Sequence, residues 1–304
     1  SYSNMGYEAA GYAAARARGK VFESVARSEA LEPLGMGSST FDRREVDPLL
    51  VAYPHALRRG VVPLDAFPYN RAHAPSSTLQ ASAADLLSLA RAFLSPEDAI
   101  AEAMLRPLAP TGKDRALVKE VGLAWFLGRH RGRTIASHSG SDRGFSSFIA
   151  ILPGTGAAAC AMANLSPVPL DRLCLGLLDL ALGEEPAEPR RPALLGSLEA
   201  GLPPEGGSTD PEEAAYIITA ADSIIESGGP SLALEILHSA LEARHDDARV
   251  LEAMAKAHYV AGDLAAAGAC ASRSLALDPS NKLLRARVGA LLGRDLLSAD
   301  REAP

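Results

Sequence analysis

Between residues 121 and 164 the chain reads VGLAWFLGRHRGRTIASHSGSDRGFSSFIAILPGTGAAACAMAN, and this block restricts the fold more than any other stretch. Four short β-like runs lie near 121–128, 133–138, 145–152 and 157–164. Turn signals at Arg131-Gly132, Gly140 to Gly144 and Pro153-Gly154 separate them. Links this short join antiparallel neighbours, because a parallel crossover needs about a dozen residues or more. Helical patterns flank the block. Helices are expected over about 5–18 and 20–31, the second with Val21, Phe22, Val25 and Leu31 on one face and a stop at Pro33. In SAADLLSLARAFL, Ser82 and Asp85 have capping-box spacing, and Leu86, Leu89, Ala90 and Phe93 share a face. A closing helix is expected at 170–182, whereas the proline-rich stretch 42–76 has no clear period and reads as loops. The fold class that follows is α+β, an antiparallel sheet with helices packed on it.

Composition changes near residue 185. GEEPAEPRRPALLGSLEAGLPPEGGSTDPEE lacks sustained periodicity and reads as a linker. Beyond it the pattern is wholly helical and repeats. Gly228 and Gly262 are 34 positions apart, as are Ala233 and Ala267, Ile217 and Leu251, and Leu237 and Ala271. Such a period with small residues at fixed places is the tetratricopeptide signature, in which two antiparallel helices approach closely. Pro279 ends the second unit where that pattern has proline; His245 takes the matching place in the first, and large aromatics are scarce. KLLRARVGALLGRDLL then serves as a capping helix. The organisation expected is therefore a mixed domain over 1–185, a linker over 186–208, and an all-α repeat module over 209–304, two domains being the reasonable expectation for 304 residues.

Bulk properties exclude some classes. No apolar run approaches the ~18 residues of a spanning helix, and a net charge of −7 argues against nucleic acid or an anionic membrane as partner. Cys160, Cys174 and Cys270 are far apart, with no C-x-x-C and no Cys/His cluster, so neither a zinc site nor a redox pair is indicated.

Three stretches together carry a family resemblance. YSNMGYEAAGY followed by EPLGMGSSTFD is similar to a Tyr-x-Asn motif, its helix and a PLGM turn. TLQASAADLLSLARAFL is similar to the helix that closes a helical subdomain, and HSGSDRGFSSFIAILPGTGAAACAMAN to a Lys/His-x-Gly strand with the two strands after it. Residues 1–182 thus resemble the C-terminal portion of a serine β-lactamase or penicillin-binding-protein-like hydrolase, of the class C β-lactamase and esterase branch. The resemblance implies chemistry through an acyl-serine, with Tyr2 handling the proton and Asn4 holding the motif lysine and the substrate amide. It makes His138 and Gly140 the first and third residues of the His-x-Gly strand, with Ser139 between them as a substrate or oxyanion residue. The Ser141 N–H becomes one oxyanion donor. It implies no metal or organic cofactor, and a working place outside the cytoplasm.

The sequence also departs from that pattern. S-x-x-K is absent: Lys20, Lys113, Lys119, Lys256 and Lys282 follow Ala17, Pro110, Ala116, Ala253 and Pro279 at the third place back. The motif is expected upstream of Ser1, with two sheet strands and the buried nucleophile helix, so that this chain holds half a site. Other readings stand beside these. Tyr2 and Asn4 fit an ordinary helix start capped by Ser3 or Asn4. His138 fits a strand-end histidine bonded to backbone, and Asp142-Arg143 either a substrate contact or a solvated pair. Ser1 fits an N-terminal nucleophile that uses its own amine as base. The remaining histidines read as surface or loop residues, and Trp125 as core.

The expectation is a serine hydrolase of an amide or ester: a β-lactam, a D-amino-acid peptide or a small ester. The alternative is a non-catalytic scaffold in which a degenerate hydrolase fold and helical repeats recruit a protein or peptide.

Overall fold

A computed structural model describes residues 2–94, 99–112, 116–186, 193–200, 211–243 and 246–292. Ser1, Lys113, His245 and most of the expected linker lie outside the described residues.

Helix α1 (Asn4–Arg18) begins where Ser3 Oγ accepts the Gly6 N–H and ends at Gly19, whose positive φ of 61° closes the last turn. Helix α2 (Phe22–Ala26) runs on into a π-helical turn over Arg27–Leu31. The stretch read as loops contains a tight hairpin, β1 (His55–Arg58) and β2 (Gly60–Pro63), turning at Gly60 with φ 107°. Two helices follow, α3 (Ala74–Ser77) and α4 (Ala83–Ala92). Ser82 caps α4 by accepting the Asp85 N–H, as the spacing requires. Asp85 does not reciprocate. Its carboxylate instead accepts Ser38 N–H, Ser38 Oγ and Ser39 Oγ at 3.0, 2.8 and 2.7 Å. Burial pushes this carboxyl up, but the hydrogen bonds from Ser39 and Ser38 outweigh it and hold it below the usual range.

After α5 (Ala99–Leu105) come β3 (Ala109–Pro110), β4 (Glu120–Val121), β5 (Phe126–His130), β6 (Arg133–Asp142), β7 (Phe145–Leu152), β8 (Ala157–Ala163) and β9 (Leu165–Ser166). The first expected run is split into β4 and β5 by a turn in which Ala124 takes a positive φ of 65°. The expected Gly140–Gly144 turn contracts to Arg143-Gly144, so β6 pairs with β7 as far as Asp142 opposite Phe145. Helix α6 (Leu170–Ala181) follows. The helices beyond are α7 (Ala193–Glu199), α8 (Pro211–Glu226), α9 (Pro230–Ala243), α10 (Ala248–Val260), α11 (Leu264–Leu277) and α12 (Lys282–Leu292).

The chain forms two compact units. The first, residues 1–54, 65–164 and 168–189, is built on an antiparallel sheet of order β3-β4-β5-β6-β7-β8. One face packs Ile135, Phe148, Ala150 and Leu152 against Cys174 and Leu178 of α6. The other packs Ala136, Ile149 and Ile151 with Trp125 and Leu127 against Ala90 and Phe93 of the α4 segment and Ala101 of α5. The alternation along β6 and β7 accounts for this division. The α+β class holds.

The second unit comprises residues 55–64, 165–167 and 190–304. Here β1 pairs antiparallel with β2 and parallel with β9. Leu57 is buried with Leu194 and Leu198 of α7 and with Ile217 and Ile224 of α8. Arg58 Nη2 donates to Ser227 O at 2.6 Å. The helices recur in step with the sequence. Gly228 and Gly262 take φ 85° and 84° at equivalent turns. Buried Ile217, Ala220 and Ala233 return as buried Leu251, Met254 and Ala267, and Val250 and Met254 return as Leu284 and Val288 of α12. Among the described residues, no helix is long and apolar enough to cross a membrane.

Candidate active site

Tyr2 precedes α1 by way of the extended cap residue Ser3, and Asn4 is the first residue of that helix. Ser3 supplies the cap, so the Asn4 side chain is not used for capping; it lines an open cleft with Tyr2. Across the cleft is β6. His138, Ser139, Gly140 and Ser141 all border it. They do so because β5 begins with Phe126 opposite Ser137, and β6 continues past that point to Asp142. Pairing with Ile149, Phe148, Ser147 and Ser146 of β7 sets their register, with His138 and Gly140 on one face and Ser139 and Ser141 on the other. A β-carbon at Gly140 would stand 2.3 Å from Ser147 Oγ, the end of a side chain that can turn away.

The Tyr2 and His138 ring centroids are 6.2 Å apart. Burial holds the His138 imidazole below the usual histidine value, and a hydrogen bond with the Ser139 backbone opposes this weakly. His138 therefore favours its neutral form at neutral pH, in which one ring nitrogen can accept a proton.

Three cleft residues escaped the sequence reading. Glu8 stands one helical turn after Asn4 on the same side of α1. Its Oε1 meets Ser76 Oγ and His73 Nδ1, each at 2.8 Å. Hydrogen bonds from Ser76 and then His73 hold the Glu8 carboxyl below its ordinary range. His73, expected to be a surface or loop histidine, thus takes part in the cleft. The i to i+4 offset from Asn4 was the available signal for Glu8. His130, also read as a surface or loop residue, ends β5 and bonds through Nε2 to buried Asp179 Oδ1 at 2.6 Å. Trp125 is core as expected, edge-on to Phe93 at 5.0 Å. Among the described residues, no group of three or more His, Cys, Asp or Glu is arranged to hold a metal.

Comparison with family models gives one match, to the family described as Beta-lactamase, over residues 1–182. The chain belongs to the beta-lactamase family. The first unit has that family's hydrolase fold. The octameric penicillin-binding protein homologue from Pyrococcus abyssi is 24% identical with a TM-score of 0.55; the match covers 62% of this chain and 43% of that one. A beta-lactamase/D-alanine carboxypeptidase from Yersinia pestis is 19% identical, TM-score 0.48, covering 60% and 54%. A D-amino acid amidase from Ochrobactrum anthropi SV3 is 24% identical, TM-score 0.45, covering 54% and 50%. At 24% identity the likeness to the Pyrococcus abyssi protein is one of fold, and the chain spans about half the length of the three proteins. Comparison with curated proteins gave no match.

Proposed function

We propose that the beta-lactamase-like unit supplies the Tyr-x-Asn and His-x-Gly walls of a serine hydrolase site for an amide or ester. The nucleophile would stand on an S-x-x-K segment outside this sequence. The observation that carries this reading is the meeting of Tyr2 and Asn4 with His138 and Gly140 on one cleft, although α1 and β6 are remote in sequence. In the proposed reaction the serine Oγ bonds to the substrate carbonyl carbon, and its proton passes by way of the lysine and Tyr2 to the departing amine or alcohol. Asn4 holds the acyl portion. Gly140 lets the substrate lie against the strand, and the Ser141 N–H donates to the oxyanion. Water then cleaves the acyl-serine ester. β-Lactams, D-amino-acid peptides and small esters all fit, and a site outside the cytoplasm accords with the family.

The test is to express the reading frame extended upstream of Ser1 and treat it with a labelled penicillin and a fluorophosphonate. The reading expects label on the serine of an upstream S-x-x-K, lowered about 10²-fold or more in rate by Tyr2→Phe. A complete frame without that motif would sink it. Residues 1–304 alone should stay unlabelled, and a mass shift mapped to Ser1 would favour an N-terminal nucleophile instead.

The 34-residue recurrence favours a second reading for the helical unit. In this reading it is a short tetratricopeptide module that binds a protein or peptide, and the hydrolase fold is a non-catalytic scaffold. Loss of the upstream motif together with retained peptide capture by the helices would select it.

A further inference from the structure

His138 is held by two rings, not one. Phe126 lies nearly parallel to it, with centroids 5.4 Å apart and an interplanar angle of 20°. Tyr2 is 6.2 Å from His138 and 6.3 Å from Phe126, tilted 35° and 18° respectively. The three rings therefore form a closed triangle. Offset and tilted arrangements at such separations are attractive beyond the area they bury.

Phe126 reaches this place through a constrained turn. Ala124 takes a positive φ of 65°, which a side-chain-bearing residue adopts only when its surroundings hold it there. Gly122 N–H donates to Trp125 O at 2.9 Å, and Leu123 N–H to Met104 O at 2.9 Å. Trp125 is anchored in the core against Phe93, so Phe126 opens β5 at the point where β6 runs on alone with β7. Gly122 admits no side chain, since a β-carbon there would lie 2.3 Å from Met104 O.

We propose that Phe126 is a positioning residue: it fixes the plane of the His138 imidazole against Tyr2, so that the histidine presents one fixed ring edge to the cleft. This rests on reading His138 as a site residue. His138 meets the rings of Tyr2, at the α1 end, and Phe126 of β5, and lies opposite Ile149 of β7. Along its own strand the nearest ionisable residue is Asp142. These three partners present aromatic and aliphatic faces to the ring, in keeping with the direction in which burial moves the imidazole. A lysine at this strand position would be a mobile point charge. A histidine clasped between rings is a directional hydrogen-bonding group instead.

The test uses residues 1–304 and does not need turnover. The His138 ring-proton resonances, assigned by loss in His138→Gln, are followed by NMR through a pH titration. In the parent chain they should lie upfield of an exposed histidine and titrate below the ordinary value of 6.5. Phe126→Leu should move both toward the exposed-histidine position, and Phe126→Tyr should restore both. Tyr2→Leu gives an independent measurement, because Tyr2 precedes α1 and is exposed; it should remove the other ring's share of the upfield shift. Unchanged resonances and titration in Phe126→Leu and Tyr2→Leu would overturn the proposal. A chain extended upstream that shows no acylation would refute the hydrolase reading while leaving these shifts intact, so the two failures can be told apart.

Discussion

Gly11 of α1 sits so close to Pro75 of α3 that a β-carbon on it would stand 2.5 Å from the proline Cβ. Tyr12, the next residue, donates from its hydroxyl to Arg71 O at 2.8 Å, and Glu8 bonds to Ser76 and His73. One side of α1 is thus docked against residues 71–76, and the start of the same helix carries Tyr2 and Asn4. Gly11→Ala is expected to push α1 off this seat and cost about 1–3 kcal/mol, as overpacking does. Chemical denaturation measures the loss. The His138 resonances should lose the Tyr2 contribution at the same time, and an unperturbed spectrum with full stability would refute the docking argument.

Gly140 makes a different prediction because its obstacle can move. The contact at 2.3 Å is with Ser147 Oγ, and the backbone there is open to a side chain. Gly140→Ala alone should destabilise by about 1 kcal/mol. Combined with Ser147→Ala most of that loss should vanish, giving a coupling energy of at least about 0.5 kcal/mol in a double-mutant cycle. Additive losses would show that the strand, and not Ser147, is what excludes a side chain.

Asp179 ties the β5–β6 hairpin to the end of α6. Its carboxylate receives His130 Nε2 at 2.6 Å and Arg131 Nε at 2.9 Å, and only 2% of its side chain is exposed. Burial pushes the carboxyl up, but the hydrogen bonds from His130 and Arg131 prevail and hold it below its ordinary value. A carboxyl whose folded value is depressed stabilises the fold above its unfolded value of about 3.9, and this stabilisation is lost as pH falls through the folded value. Asp179→Asn should therefore lower stability near neutrality, by about 1–3 kcal/mol, because a buried acceptor of hydrogen bonds from His130 and Arg131 is weakened. It should also flatten the acid limb of the stability curve. An acid limb as steep as that of the parent would count against this assignment.

Leu57 of the β1–β2 hairpin is 1% exposed and belongs to the helical unit's core. Leu57→Ala should cost about 2–5 kcal/mol, read as faster amide exchange in α8 and α9. Unchanged protection in those helices would mean the hairpin is merely peripheral to them.

These predictions rest on features of unequal visibility in the sequence. The Ser82 cap was legible because a capping box needs only a three-residue spacing, but the true partners of Asp85, Ser38 and Ser39, are brought to it by tertiary structure. The sheet was legible from strand alternation and turn residues. Its split at Ala124 was not, since a positive φ at a residue with a side chain is imposed by the hydrogen bonds around it. The β1–β2 hairpin was hidden by its four-residue strands and the prolines at its ends. Tyr2, Asn4, His138 and Gly140 could be read because their neighbours form motifs. Phe126 carries no motif, and only the ring triangle reveals it.

Two strands and a short bridge, His55–Pro63 and Leu165–Ser166, belong to the helical unit although they are encoded within the stretch that matches the beta-lactamase family. The helices therefore share their core with a hairpin written more than a hundred residues upstream of them. A cut near residue 190 would release α8 without the hairpin that buries Leu57 against it.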